Sequence, residues 1–157
     1  LGHRKIDHLA GPSYTISAQH RKKGFMQVVS EHQDIISHIY EANNYSIEDG
    51  YQQALKIIES NDLPTAIFVA GDWMALGVIQ ALKEHHISVP EDISVIGYDD
   101  LEFLKYSQPA LTTVSQNKLE IGKRAAQYLI QQINGETVSS LNVDVEIIER
   151  DTCQKRL

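Results

Sequence analysis

Alternating strand and helix patterns predict an α/β protein built on a doubly wound parallel sheet. Three observations lead there. Short apolar runs rich in β-branched residues take turns with helical segments of about 10–15 residues, the mark of βαβ units. The run Thr65-Ala66-Ile67-Phe68-Val69-Ala70 is almost unbroken, as in a strand covered on both faces; a strand with one wet face would alternate. The runs end at turn formers, among them Gly11-Pro12, Gly71-Asp72 and Asp99-Asp100.

In chain order, Ile6-Asp7-His8-Leu9-Ala10 reads as the first strand, closed by Gly11-Pro12. From Ser17 the spacing turns helical, with Phe25, Val28 and Val29 at i, i+3 and i+4. Residues 35–40 read as a second strand. Ser46-Ile47-Glu48-Asp49 resembles a capping box with Asp in place of Glu or Gln. It opens a helix with Ile47, Tyr51, Leu55 and Ile58 on one stripe. After the third strand, Asp72 is expected to cap a helix carrying Met74, Leu76, Ile79 and Leu82. Lys83, His85 and His86 close that helix, where positive charge suits the dipole. Ile93-Ser94-Val95-Ile96-Gly97 is a fourth strand running into Tyr98-Asp99-Asp100, and residues 111–114 form a short fifth. A long helix over about 117–134 is expected to bury Leu119, Ala126, Leu129, Ile130 and Ile133, with Gly135 as its stop. Residues 143–148 alternate in part and read as a final edge strand.

A chain of 157 residues fits one domain. At that length roughly 68–70% of the unfolded surface is buried on folding, enough for a core without disulfides or metals. Hydrophobic content of 42% beside 22% charged residues excludes a disordered or fibrous chain. No apolar run approaches the ~20 residues of a membrane span. Cys153 is the only cysteine, so no disulfide framework or zinc-ribbon spacing exists, and a reducing, cytoplasmic setting is expected. The net charge of −7, from 14 basic and 21 acidic residues, argues against a large phosphate-binding surface on this chain. The basic run His20-Arg21-Lys22-Lys23 has no interleaved aromatic residues and reads as a solvated helix face. The chain opens on Leu1-Gly2-His3 without Met or a signal peptide, and is expected to be a portion of something longer.

In open parallel sheets, ligands bind outside the carboxyl ends of the strands. The loops there hold Thr15, Ser17 and, one helical turn on, Arg21; then Tyr45; then Gly71, Asp72 and Trp73; then Asp99-Asp100. A carboxylate and a guanidinium exchange directional hydrogen bonds with hydroxyls, and a flat ring packs on an apolar C–H face. The set suits a small polyhydroxylated molecule. Each residue also has a plainer reading: Arg21 a solvated charge, Asp99 or Asp100 a turn former, Tyr45 packing, Trp73 core or interface. The histidines lack metal-ligand spacing, and no GxSxG, GxGxxG or GxxxxGK[ST] motif occurs, so neither an enzyme nor a resident cofactor is expected. The Asp99-Asp100 pair can also be read as a Mg²⁺ site of a phosphotransfer fold, but only Asp72 stands at another strand end to help it.

Taken together, several segments resemble one family. They are Leu1-Gly2-His3-Arg4-Lys5-Ile6, Ala10-Gly11-Pro12, Arg21-x-x-Gly24-Phe25 and Pro64-Thr65-Ala66-Ile67-Phe68. Further on come Asp72-x-Met74-Ala75-Leu76-Gly77, Val89-Pro90-Glu91-Asp92-Ile93-Ser94-Val95-Ile96-Gly97-Tyr98-Asp99-Asp100, Pro109-Ala110-Leu111-Thr112-Thr113-Val114 and Ile148-Glu149-Arg150. In this order they are similar to the middle of lactose-repressor/galactose-repressor (LacI/GalR) transcription factors. The resemblance implies a periplasmic-binding-protein-like core of two lobes behind a DNA-binding headpiece that this chain lacks. It assigns residues 1–113 to the C-terminal lobe, 114–140 to a crossover and a helix of the other lobe, 141–150 to a return strand, and 151–157 to a tail. It places effector contacts at Thr15, Ser17, Arg21, Tyr45 and Asp99, with Gln116 at the crossover. Gly71 and Asp72 complete the candidate set. Many sugar-responsive members carry Asn where this chain has Gly71, and a purine-responsive member resembles this chain there. At Thr15 this chain instead presents a hydroxyl, as a sugar-responsive member does. The resemblance also implies a homodimer, with Val78, Leu82 and Tyr106 as candidates for its seam.

The expected function is allosteric. A small sugar-like effector binds between lobes, shifts them between two arrangements and so alters headpiece spacing on operator DNA. The rival expectation is an extracytoplasmic sugar receptor of the same fold.

Overall fold

Strand and helix alternate along the chain in the computed structural model, which describes residues 1–156. The elements are β1 (Ile6–Ala10), α1 (Ile16–Ser30), β2 (Ile39–Glu41), α2 (Ile47–Glu59), β3 (Ala66–Val69), α3 (Asp72–Glu84), β4 (Ser94–Tyr98), β5 (Thr112–Ser115), α4 (Lys118–Ile133) and β6 (Glu146–Ile148). A 3₁₀ turn, Glu102–Tyr106, joins β4 to β5. The six strands form one sheet in the order β2-β1-β3-β4-β5-β6. β1 to β5 run parallel, and β6 closes the edge antiparallel to β5.

Helices cover both faces, because each parallel connection must cross the sheet. Leu9, Ile67, Val69 and Val95 point to the face packed by α2 and α3, where Ile57, Met74, Val78, Ala81 and Leu82 complete a dry core. The two helices approach closely at Gly50 and Gly77: a Cβ at Gly50 would strike the Met74 backbone, and one at Gly77 the backbone of Ile47 and Tyr51. On the opposite face α1 lies over His8, whose ring stacks on Phe68 at 4.6 Å and meets Phe25 at 5.0 Å. The His8 Nδ1–H donates to the Phe68 carbonyl at 2.8 Å. α1 buries only Ala18 completely, and Val28, one of the three apolar residues at helical spacing, is exposed.

Several expected boundaries move for local reasons. The second strand is shorter and later than 35–40: the His38 N–H turns to the buried Asp7 carboxylate at 2.8 Å, leaving only an isolated bridge at Ile36 before β2 begins. Ser46 does cap α2, its hydroxyl accepting from the Asp49 N–H at 3.0 Å. Asp49 does not return the bond to Ser46; its carboxylate accepts from the N–H groups of Asn43 and Asn44. Asp72 is not the cap of α3. Gly71 holds that position without a side-chain bond, and Asp72 is the first helical residue.

Two expectations about burial are overturned. Val78 and Leu82 are both 0% exposed within the core, so neither reaches a seam with another copy. On α3 they face the sheet and α2, and a helix packed on two neighbours hides more than one stripe. Conversely, α4 buries none of its residues: Leu119, Ala126, Leu129, Ile130 and Ile133 are all exposed. The apolar stripe exists, but nothing in the described chain lies against it. The final strand spans only Glu146–Ile148 of the expected 143–148. The segment expected as a simple tail is stitched into the sheet. Buried Thr152 donates its hydroxyl to the Val95 carbonyl at 2.6 Å and accepts from the Thr112 N–H at 2.8 Å, filling the gap between β4 and β5.

Candidate functional site

Because β1 to β5 are parallel, their carboxyl ends open on one edge, and the loops leaving them meet there. Thr15 caps α1, its hydroxyl oxygen accepting from the Ala18 N–H at 3.3 Å while the hydroxyl donates to the Pro12 carbonyl at 3.0 Å. That fixes the start of the helix and brings Thr15 and Ser17 to the Tyr45 hydroxyl, at 3.2 and 3.3 Å. The Tyr45 ring lies across two glycines. A Cβ on Gly11 would collide with it, and one on Gly71 would stand 3.1 Å from its Cδ1 and 3.9 Å from Asp99 Oδ2. Gly71 therefore contributes room, not a contact of its own.

Arg21 follows Ser17 by one turn. Its guanidinium lies over the Tyr98 ring at 3.8 Å and donates to the Ala70 carbonyl at 2.6 Å. A second guanidinium nitrogen stands 3.7 Å from Asp99 Oδ1, beyond a direct hydrogen bond. Gln116, at the exit of β5, donates to that same oxygen at 2.6 Å. Burial raises the Asp99 carboxyl above the usual carboxylate range, against the pull of Arg21 and Lys118. Asp99 and Asp100 both have left-handed backbones, φ 116° and 50°, a conformation held only where neighbours over-determine it.

Asp72 supplies part of that hold from behind. It is fully buried, with one oxygen accepting from the Thr113 hydroxyl at 2.6 Å and the other from the Leu101 N–H at 2.9 Å. Burial raises its carboxyl as well, and Asp99 and Asp100 add to the rise. Both oxygens are engaged and the side chain is buried, so Asp72 is a strut joining the start of α3 to β5 and to the loop after β4, and not a ligand contact. The structure thus brings Thr15, Ser17, Arg21, Tyr45, Gly71, Asp99 and Gln116 to one rim and sets Asp72 beneath it. No group of three or more His, Cys, Asp or Glu side chains among the described residues is arranged to hold a metal ion.

The chain matches a periplasmic binding protein-like domain over residues 1–153. It belongs to that family. Among curated relatives, the HTH-type transcriptional repressor PurR of Pasteurella multocida is 36% identical over 159 residues, covering 99% of this chain and 48% of the relative. PurR of Glaesserella parasuis is 40% identical over 134 residues, covering 84% and 39%. Among solved structures, the lac repressor dimer bound to operator and the anti-inducer ONPF superposes with a TM-score of 0.92 at 34% identity, over 99% of this chain and 54% of that one. The Escherichia coli transcriptional repressor AscG gives 0.88 at 27% identity, over 96% and 56%. The chain therefore spans about half the length of the curated relatives it matches. As the resemblance implied, it is a core domain of the LacI/GalR kind, and its relatives are repressors, not enzymes.

Sequence reasoning missed three members of this periplasmic-binding-protein-like site. Tyr98 lies under Arg21, and its place one step past Gly97 in β4 could have put it on the α1 face. Arg150 pairs with Asp100 at 2.6 Å, and Lys118 donates to the Asp100 carbonyl at 3.2 Å. No local pattern signals a partner 50 residues away.

Proposed function

We propose that this chain is the effector-sensing core of a DNA-binding transcriptional repressor, and that its ligand is a small sugar-like molecule held by Thr15, Ser17, Arg21, Tyr45, Asp99 and Gln116. The observation that carries this reading is the loose Arg21–Asp99 pair, 3.7 Å apart. A hydroxyl bonded to both completes the hydrogen-bonding capacity that their separation leaves open. Thr15, Ser17 and Tyr45 add hydroxyls that donate or accept, as a neutral polyol requires. The PurR names among the relatives favour a purine, and the half-buried Tyr45 ring offers a flat surface on which a base would stack.

The bare stripe of α4 supports its assignment to a second lobe, with residues 1–113 as the ligand-bearing lobe and 114–150 as crossover, helix and return. Ligand closing the two lobes would favour one arrangement by its differential affinity, and a headpiece beyond this chain would read the change on operator DNA. A second copy would dock on the exposed aromatic pair Trp73 and Phe103, 5.0 Å apart, with exposed Tyr106 in the same 3₁₀ turn as Phe103, in place of buried Val78 and Leu82. No helix among the described residues is long and apolar enough to cross a membrane.

The test is a thermal-shift screen of the chain against sugars, sugar phosphates and purines, reading ligand binding as a stability gain. A sugar hit abolished by Asp99→Ala supports the reading. A purine hit replaces the sugar assignment, and a hit indifferent to both Asp99→Ala and Arg21→Met removes the site.

A further inference from the structure

α4 carries no buried residue, so its own body does not fix its attitude to the sheet. It is tied on by two threads, one leaving β5 and one returning through β6. The polar contacts at the roots of both threads converge on one dipeptide. Gln116 donates to Asp99, Lys118 to the Asp100 carbonyl, and Arg150, two residues past β6, to Asp100 Oδ1. Arg150 is itself immobilised. A second guanidinium nitrogen donates to the Leu111 carbonyl at 2.7 Å, and its backbone N–H to the Thr112 hydroxyl at 2.9 Å.

The Arg150–Asp100 pair also differs in setting from the chain's surface pairs. Its side chains are 14% and 26% exposed, against 64% and 60% for Arg4–Asp34. A pair so shielded from water is worth more than an exposed one, which contributes little. Asp99 and Asp100 therefore divide the work. Asp99 keeps a loose partner in Arg21, while Asp100 holds the tight one.

We propose that Asp100, gripped by Arg150 and Lys118, is a hinge clasp that sets α4 and its two threads against the ligand-bearing edge, making Arg150 and Lys118 positioning residues for Asp99. Resting on the effector reading above, the clasp explains how a ligand acts at a distance. A hydroxyl taken up by Asp99 competes with Gln116, freeing one of the two contacts on the β5–α4 thread while Asp100 keeps its hold on Lys118 and Arg150.

The experiment uses the full chain with no ligand, so its failure is separate from failure of the effector reading. Hydrogen exchange is followed in Asp100→Asn, which tolerates the left-handed backbone, in Lys118→Gln, which removes an exposed contact and the charge facing Asp99, and in Arg150→Met. Asp100→Asn is expected to speed exchange at residues 115–121 and 146–150 about tenfold or more, the loss of a charge-assisted bond. Lys118→Gln acts in the same direction with smaller size, and the Asp100→Asn/Arg150→Met double variant exchanges no faster than the worse single one. The Asp99 carboxyl ¹³C resonance shifts in Arg150→Met, whose side chain bonds Asp100 and not Asp99, a relay that a pair serving stability alone would not produce. Unchanged exchange in both threads, or acceleration spread evenly through β1, β3 and α3, overturns the clasp.

Discussion

Asp99 sits at φ 116° and Asp100 at φ 50°, backbone states that cost about 1–3 kcal/mol each for residues with a Cβ. They persist because Asp72, Thr113, Lys118 and Arg150 bond the turn from several sides, and the outcome is a carboxylate aimed at Arg21. His8 is the other residue where burial overrides ordinary chemistry. Removal from water lowers its ring from 6.5 to about 4. The unfolded chain binds the proton first as pH falls, so the stabilisation is whole above pH 6.5 and drains away as pH drops toward 4, by at most about 3 kcal/mol. Asp7 has the opposite sign: burial raises its carboxyl, so its contribution is lost as pH rises. Comparing His8→Phe with the parent at the same two pH values cancels Asp7. The urea midpoint of the parent is expected to fall more between pH 7 and 4.5 than that of His8→Phe; an equal fall in both would refute the His8 assignment. At this scale the sequence reveals residues whose element ends are readable. Thr15, Arg21, Tyr45 and Asp99 each follow a recognisable strand, and parallel strands share one edge. Tyr98 and Arg150 escape because their partners are set by tertiary approach alone.

At the scale of elements, the α2–α3 contact depends on two positions without a side chain. Gly77→Ala is expected to destabilise the chain by about 1–3 kcal/mol, since its Cβ would enter the α2 backbone and neither helix can retreat without opening the core. Equilibrium denaturation measures it. The outer stripe of α4 makes the contrast. Leu129→Glu and Ile133→Glu are expected to change the stability of this chain by less than about 0.5 kcal/mol, because neither side chain is buried. A loss of several kcal/mol there would mean that α4 is covered. Helical spacing predicted the existence of α4 and of its apolar stripe, and both are present. Spacing cannot say whether anything lies on such a stripe, which is why α4 was expected buried and is bare. Val78 and Leu82 present the converse: an apolar position on a helix packed against two neighbours looks the same in sequence whether it faces the core or another molecule.

For the whole molecule, the strand order β2-β1-β3-β4-β5-β6 carries one edge of loops, one dry core and one bare helix. The class of fold was legible because alternation of strand and helix patterns survives without knowledge of any contact. The antiparallel β6 and the buried Thr152 were not, since both answer needs of the sheet edge and not local propensity. Exposed Trp73 and Phe103 make a seam testable by sedimentation. If a second copy docks there, Phe103→Lys is expected to shift the chain toward monomer while its melting temperature holds, whereas Tyr128→Lys on α4 leaves assembly unchanged. An effector is expected to bind at the carboxyl edge of the sheet. Amide chemical-shift mapping of the chain with the strongest hit from the sugar and purine screen is predicted to move residues 15–21, Tyr45, Gly71, Asp99 and Gln116 together. Shifts gathered instead along Ile121, Tyr128 and Leu141 beside α4, with residues 15–21 and Asp99 unmoved, would contradict it.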